Sequence, residues 1–319
     1  MSDAPPIPWR PVVIAVVVAA AIALVLHVVS VATGDRTPVE GVIDFAAPQI
    51  QASPAVPTAA PLLRFAIAPV VSPETSLRSY QPLVDLVGAR CGRKAQFITR
   101  GSYAEIEDLL RQQQCDVALV CTYVYVRGQR DYGLQALAAP VIHGASAYHS
   151  VIIAPHGSRA TGLLDLQGQR FAASDLLSTS GWVWPAQWLR GQGRDPATFL
   201  TQVLTGSHDR SVHAVLRGQA DAAAVDSIVY AEMSARDPAV AAQTTIIQRS
   251  PPFGMPPIVC HPSLDTAVRQ RIQAALLDLH ADAEGRAALA SIGFDRFAPV
   301  DDALYEGVRA TAAAWEGKP

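Results

Sequence analysis

Hydrophobic and polar positions divide this chain into three regimes. From Pro11 to Ala32 the sequence PVVIAVVVAAAIALVLHVVSVA is apolar apart from His27 and Ser30. A membrane-crossing helix needs roughly 20 such residues. From Thr33 to Pro61 the composition turns to Pro and Ala, which predicts an extended, semi-rigid tether. From Leu62 onward, short apolar runs alternate with segments of helical period, and this is the globule.

Leu62 to Ala68 reads as a strand, followed by a helix with Leu77, Tyr80, Leu83, Val84 and Val87 on one face. Ala95 to Thr99 is a second strand. Ser102 to Gln113 is a helix whose Ser102 and Glu105 form a capping box. Asp116 to Thr122 is nearly all apolar, as expected of a strand buried on both faces. This β-α-β-α-β order predicts an α/β layer with parallel strands. A second unit opens with an alternating strand from Ala147 to Pro155. It continues with a strand from Arg170 to Ala173, a helix through Trp188 and Leu189, and a strand from Phe199 to Leu204. Val212 to Arg217 is helical and Ala220 to Val225 a strand. After Pro251, PPIVCHP supplies the final strand, and helices run from Asp265 to His280 and from Asp302 to Ala314. The prediction is two lobes, residues 62–148 with 250–319 and residues 149–249. The chain crosses twice between them, which makes a hinge and a cleft suited to a ligand.

Composition narrows the class. Half of the 319 residues are hydrophobic and 17% are charged, which fits a packed globule. A net charge of −3 implies no basic face, so nucleic acid is not the expected partner. The segment 11–32 reads as an uncleaved anchor with residues 1–10 on the cytoplasmic side, flanked by Arg10. A signal peptide cut near Ser30-Val31-Ala32 is the alternative. Under either reading the globule lies outside the cytoplasmic membrane. Of the four cysteines, Cys91 and Cys115 form the best-fitting disulfide pair, because both flank strand starts. No Cys/His spacing matches a zinc site, and no cofactor is expected.

The candidate chemistry lies in SDLLSTSGWVWP. Ser178, Thr179, Ser180 and Gly181 fall between a predicted strand and a predicted helix. Free backbone amides and the positive end of the helix dipole meet there, which suits an anion. Hydroxyls add donors, and Gly181 lets the backbone approach closely. Ordinary N-capping is the competing reading, although a cap needs one hydroxyl rather than three. His208 lies in a Gly-Ser-His-Asp turn before a helix, placed either to meet a ligand or to be solvated. Asp226 ends the strand ADAAAVD, at the carboxyl edge where α/β sheets bind ligands. A serine hydrolase would need Ser178 or Ser180 beside His208, with Asp209 or Asp226 behind it. No G-x-S-x-G elbow is present, and the same residues account for binding alone.

ASDLLSTSGWVWP and TGSHDRSVHAVLRGQADAAAVDS together resemble the paired motifs of the PhnD-type phosphate/phosphite/phosphonate-binding proteins, the solute-binding subunits of ABC importers. The resemblance runs from about Leu62 to about Leu289. It implies a two-lobed, type II periplasmic binding protein without catalytic activity, on the periplasmic side of the membrane. It further implies that Ser178, Thr179, Ser180 and His208 hold the phosphoryl oxygens and that Asp226 faces the ligand's substituent. Tyr80 and Tyr125 would close over the ligand from the first lobe, with Thr122 at the cleft. Tyr80 also fits as a core residue. Tyr123 departs from the family pattern, and would either narrow the pocket or turn outward. Cys121 suits ordinary packing, or a thiolate site for trivalent arsenic as in some sensor relatives. The implied partner is an ABC permease, with a membrane sensor kinase as the alternative.

Overall fold

The computed structural model describes residues 61–317. Strand β1 (Leu62–Ile67) buries Leu63, Phe65, Ala66 and Ile67, and β2 (Lys94–Thr99) and β3 (Val117–Leu119) pair with it in parallel. Helices α1 (Pro73–Arg90) and α2 (Tyr103–Arg111) make the crossovers. The start of α2 is the expected cap: the Glu105 amide donates to Ser102 Oγ at 3.3 Å, and that hydroxyl donates to the Glu105 carboxylate at 3.0 Å.

The third strand is shorter than the pattern predicts. It stops at Leu119, and Thr122–Tyr132 is helix α3. Thr122 to Val126 are all buried, and a short run buried on every side looks the same in sequence whether strand or helix. Strand β4 (Gln135–Val141) follows. The single strand expected from Ala147 to Pro155 is two, β5 (Ala147–Tyr148) and β6 (Ser150–Pro155), with the break at His149.

Strand β6 enters a second sheet with β7 (Arg170–Ala173), β8 (Thr201–Leu204), β9 (Ala222–Asp226) and β10 (Thr244–Arg249), in the order β10-β6-β9-β7-β8. Its helices are α4 (Trp184–Gly191), α5 (Pro196–Phe199), α6 (His208–Leu216), α7 (Ser227–Arg236) and α8 (Pro238–Gln243). Strand β8 loses its expected first residues to α5, which Asp195 caps by accepting from the Ala197 amide at 3.1 Å. The chain returns through β11 (Phe253–Gly254), which pairs with β5, and β12 (Ile258–Cys260), which is antiparallel to both β3 and β4. PPIVCHP is not the last strand. After α9 (Thr266–Leu277) and α10 (Ala283–Ala290) comes β13 (Arg296–Ala298), then α11 (Glu306–Glu316). The first sheet has the order β13-β4-β12-β3-β1-β2.

Alternation along the strands separates the cores. Leu63, Phe65, Ile67, Val117 and Leu119 face α1, α9 and α10 on one side of the first sheet. Val151, Ile153, Ala172, Ala223 and Val225 face α6 on one side of the second. Their neighbours Ala66, Ala118, Ile152, Phe171 and Ala224 belong to one continuous core that joins the two sheets. This alternation also explains why the expected Cys91–Cys115 bridge does not form. Cys91 packs with the first group and Cys115 with the shared core, on opposite faces of the sheet, and all four cysteines are buried free thiols. Among the described residues no helix is long and apolar enough to cross a membrane. The expected span at 11–32 lies outside them, as does the tether.

Candidate functional site

Strand β7 ends at Ala173 and delivers three buried polar residues, Ser174, Asp175 and Ser178, into the region between the sheets. The next turn, Thr179–Val183, is wound wider than an α-helix: the Val183 amide reaches Ser178 O at 2.9 Å, an i to i+5 bond. The amides of Thr179 and Ser180 stand at the head of this turn, where helical geometry supplies no partner. Ser178 Oγ accepts from the Gly181 amide at 3.0 Å, so one hydroxyl caps the turn. The capping reading is therefore correct for Ser178, and it leaves Thr179 and Ser180 for other work. Ser150 Oγ donates to Ser180 O at 2.6 Å and fixes the turn from β6, while the Ser180 hydroxyl takes no part in this network.

His208 opens α6 and is buried, not solvated. Its Nδ1 accepts from the Asp226 amide at 3.1 Å. An amide can only donate, so Nδ1 is unprotonated and the proton of the neutral ring sits on Nε2. Burial pushes the His208 pKa down to about 4, partly opposed by Asp209, so the ring is neutral at physiological pH. Nε2–H points toward Ser178 Oγ at 3.3 Å and Ser174 Oγ at 3.4 Å. Ser174, Ser178 and the His208 N–H thus lie together as a cradle of donors at the head of the turn, where the Thr179 amide is within reach of the Cys121 sulfur.

Asp226 ends β9 as expected and also caps α7, accepting from the Ile228 amide at 2.8 Å. Burial raises its carboxyl to about 7, against the two capping amides that favour the charge. Beside Asp226 lies a cavity of about 90 Å³ walled by Tyr80, Leu119, Ile142, Ile228, Pro256 and Glu232. The hydroxyls of 178–180 do not line it. Glu232 there is also raised by burial.

The first lobe closes directly onto the cradle. Thr122 Oγ1 and Thr179 Oγ1 are 2.7 Å apart, and the Tyr123 amide donates to Thr179 Oγ1 at 2.8 Å. Val70 O accepts from the His208 amide at 3.0 Å, and the Tyr103 amide donates to Asp175 at 2.9 Å. Thr122 therefore reaches the site. Tyr80 reaches only the adjoining cavity, where it packs edge-on to Phe294. Tyr125 does not reach it. On α3 it points to Tyr305, ring centroids 5.0 Å apart, and receives a bond from Gln129 at 3.3 Å. Tyr123 turns away and donates its hydroxyl to Glu316 at 2.7 Å.

Two other tyrosines lie nearer the cradle than Tyr125 does. Tyr148, on the crossing strand β5, has its hydroxyl 3.1 Å from Thr122 Oγ1. Tyr103 is fully buried at the head of α2, its phenol within electrostatic reach of Asp175, Asp226 and Tyr148. Burial raises both phenols, so they are hydrogen-bond donors and not phenolates. Alternation in AYHSVIIAP marked Tyr148 as a face residue, but only the break at His149 turns it into the site. Cys121 donates from Sγ to Leu177 O at 2.9 Å, and burial pushes its thiol up to about 12, an environment that disfavours a thiolate. Among the described residues no group of three or more His, Cys, Asp or Glu side chains could hold a metal ion.

An α/β chain folded in two lobes about a buried donor cradle is a periplasmic binding protein. The family of ABC transporter, phosphonate, periplasmic substrate-binding proteins matches residues 65–305, and the chain belongs to it. It is 28% identical over 163 residues to the phosphate-import protein PhnD of Mycolicibacterium smegmatis, covering 47% of this chain and 51% of that one. That match therefore spans about half the length of the relative. With the phosphonates-binding periplasmic protein of Escherichia coli it shares 23% identity over 258 residues, 78% of this chain and 75% of the relative. In fold it is similar to a binding-protein component of an ABC phosphonate transporter from Pseudomonas aeruginosa (TM-score 0.74, 22% identity, 81% and 87% of the two chains). It is also similar to PhnD1 of Prochlorococcus marinus in complex with methylphosphonate (TM-score 0.69, 16% identity, 81% and 99%).

Proposed function

We propose that the chain captures a small tetrahedral phosphorus oxyanion, phosphate, phosphite or a phosphonate, and hands it to an ABC permease. The lobes are residues 62–148 with 250–319 and residues 149–249. An N-terminal helix at 11–32 and the tether at 33–61 hold the globule on the periplasmic side of the membrane. The observation that carries this reading is the tautomer of His208. With its proton on Nε2, beside the Ser178 hydroxyl at the head of the turn, the cradle offers donors to an oxyanion. The same tautomer argues against hydrolysis. A histidine whose Nε2 already carries the proton cannot take one from Ser178, as a nucleophilic serine requires. The cavity beside Asp226, with apolar walls and Glu232 and Arg236 among its lining, gives room for a small substituent on phosphorus.

Calorimetry on the full-length chain with phosphate, phosphite, methylphosphonate, 2-aminoethylphosphonate and sulfate tests the reading. It predicts that at least one phosphorus oxyanion binds and that Ser180→Ala weakens it about 10-fold or more, the size of a lost bond to a charged group. Binding of none of them contradicts it.

Asp226 gives a pH signature. Its folded pKa lies above that of a free carboxyl, so its contribution to stability is complete below pH 4 and is lost as pH rises through about 7. Asn keeps the cap and removes the titration. Urea unfolding should show the stability advantage of Asp226→Asn over the wild type growing by roughly 2.5 kcal/mol between pH 5 and pH 8. Equal curves at both pH values would show that Asp226 is charged throughout.

A further inference from the structure

The C-terminal helix α11 reaches both lobes. Tyr305, Val308 and Ala312, at and along this helix, sit in the core shared by the two sheets. Its last turn carries two consecutive residues with opposite attachments. Trp315 lies under the Arg190 guanidinium, whose carbon is 3.7 Å from a ring centroid, and the Trp315 carbonyl accepts from Arg190 Nη1 at 2.8 Å. Arg190 is in the last turn of α4, the helix that grows directly out of the anion-cradle turn. Glu316 accepts from Tyr123 Oη at 2.7 Å and pairs with Arg130, both on α3 of the first lobe. The Tyr123 backbone amide, in turn, is the group that donates to Thr179 in the cradle.

These contacts form a closed loop: cradle turn, α4, Arg190, Trp315, Glu316, Tyr123, and back to Thr179. We infer that Trp315 and Glu316 are a clasp that keeps the cradle turn seated against α3, and that residues 190, 315 and 316 position the ligand site without touching the ligand. The inference rests on the oxyanion-binding reading for its effect on affinity, but the clasp itself is a property of the fold. A planar guanidinium stacked on an indole while donating to the same residue's carbonyl has two matched contacts that lysine cannot reproduce together. Because the clasp is complete only when the cradle turn and α3 are together, losing it favours reopening over a change in encounter. The dissociation rate carries the effect.

Two measurements on the full-length chain test this. Hydrogen exchange of the ligand-free protein is expected to speed up about 5-fold or more across both Thr179–Gly191 and Thr122–Tyr132 in Arg190→Ala. The Glu316→Gln, Tyr123→Phe pair should give the same pattern. Exchange unchanged in either segment overturns the clasp. Stopped-flow tryptophan fluorescence with phosphate or methylphosphonate is expected to show dissociation about 5–10-fold faster in Arg190→Ala, with association within 2-fold of wild type. Arg190→Lys should fall between the two. A fall confined to the association rate, or Arg190→Lys equal to Arg190→Ala with both variants folded by circular dichroism, overturns the positioning role. If the wild type binds neither anion, the binding function fails, and hydrogen exchange still decides whether the clasp exists.

Discussion

Gly181→Ala is expected to remove most of the oxyanion affinity. A Cβ at this position would lie 2.1 Å from Ser174 Oγ, 3.0 Å from Ser178 Oγ and 3.1 Å from His208 Cε1. No real carbon tolerates the first of these distances, so Ser174 or the turn has to move, and Ser178 and His208 move with it. Because the positions are buried, relief by rotation into solvent is closed off. Overpacking of this kind costs about 1–3 kcal/mol of stability, and displacement of His208 and Ser178 removes charge-assisted bonds worth about 1.5–3 kcal/mol each. The affinity loss expected by calorimetry is about 100-fold or more, with a folded protein by circular dichroism. The need for glycine here is close approach and not backbone strain, since Gly181 is absent from the glycines with positive φ.

Thr179→Val is the second large effect, and it separates the lobe contact from the anion contacts. Valine matches threonine in shape but has no hydroxyl. Removing Oγ1 takes away the acceptor for the Tyr123 amide at 2.8 Å and the partner of Thr122 Oγ1 at 2.7 Å. Thr122 keeps Tyr148 as a partner, but the Tyr123 amide is left without one, in a region where Thr122, Tyr123 and Thr179 are all buried. An unsatisfied buried donor costs about 1–3 kcal/mol. Urea unfolding is expected to show a loss in that range, and oxyanion affinity to fall about 10-fold or more because the lost bond joins the two lobes. A variant as stable as the wild type would mean that the lobes do not meet through Thr179.

Much of the second-lobe half of the site was legible in the sequence, and the reason is local. Ser178, Thr179, Ser180 and Gly181 follow a strand and lead into a helix, and both facts can be read from a dozen neighbouring residues. Asp226 was legible for the same reason, as the last residue of a strand. The first-lobe half was not, because it depends on which way a buried segment is wound. VCTYVYV is apolar on every side, so it fits a strand as well as the start of α3, and only the helix sends the Tyr125 side chain to Tyr305 and the Tyr123 side chain to Glu316. Tyr148 and Tyr103 were missed for the complementary reason. Their place in the site is set by pairing partners more than 70 residues away in sequence, Phe253 opposite Tyr148 and Asp175 beneath the Tyr103 amide. The Cys91–Cys115 pairing failed on a similar point, since both residues flank strand starts yet face opposite sides of one sheet.

Helices α7 and α8 and strand β10, which the sequence reading also missed, follow Asp226 as SIVYAEMSARDPAVAAQTTIIQR, where small residues blur both the helical and the alternating period. Their position nonetheless matters to the site, because α7 carries Glu232 into the cavity beside Asp226.

The most direct test of the central claim is a crystal structure of the chain grown with methylphosphonate. Phosphorus oxygens are expected within about 3 Å of His208 Nε2, the Ser180 hydroxyl and the amides at the head of the Thr179–Val183 turn. The methyl group is expected to face the Asp226 cavity. An anion seated elsewhere, or a His208 ring that accepts at Nε2 instead of donating there, would contradict that claim.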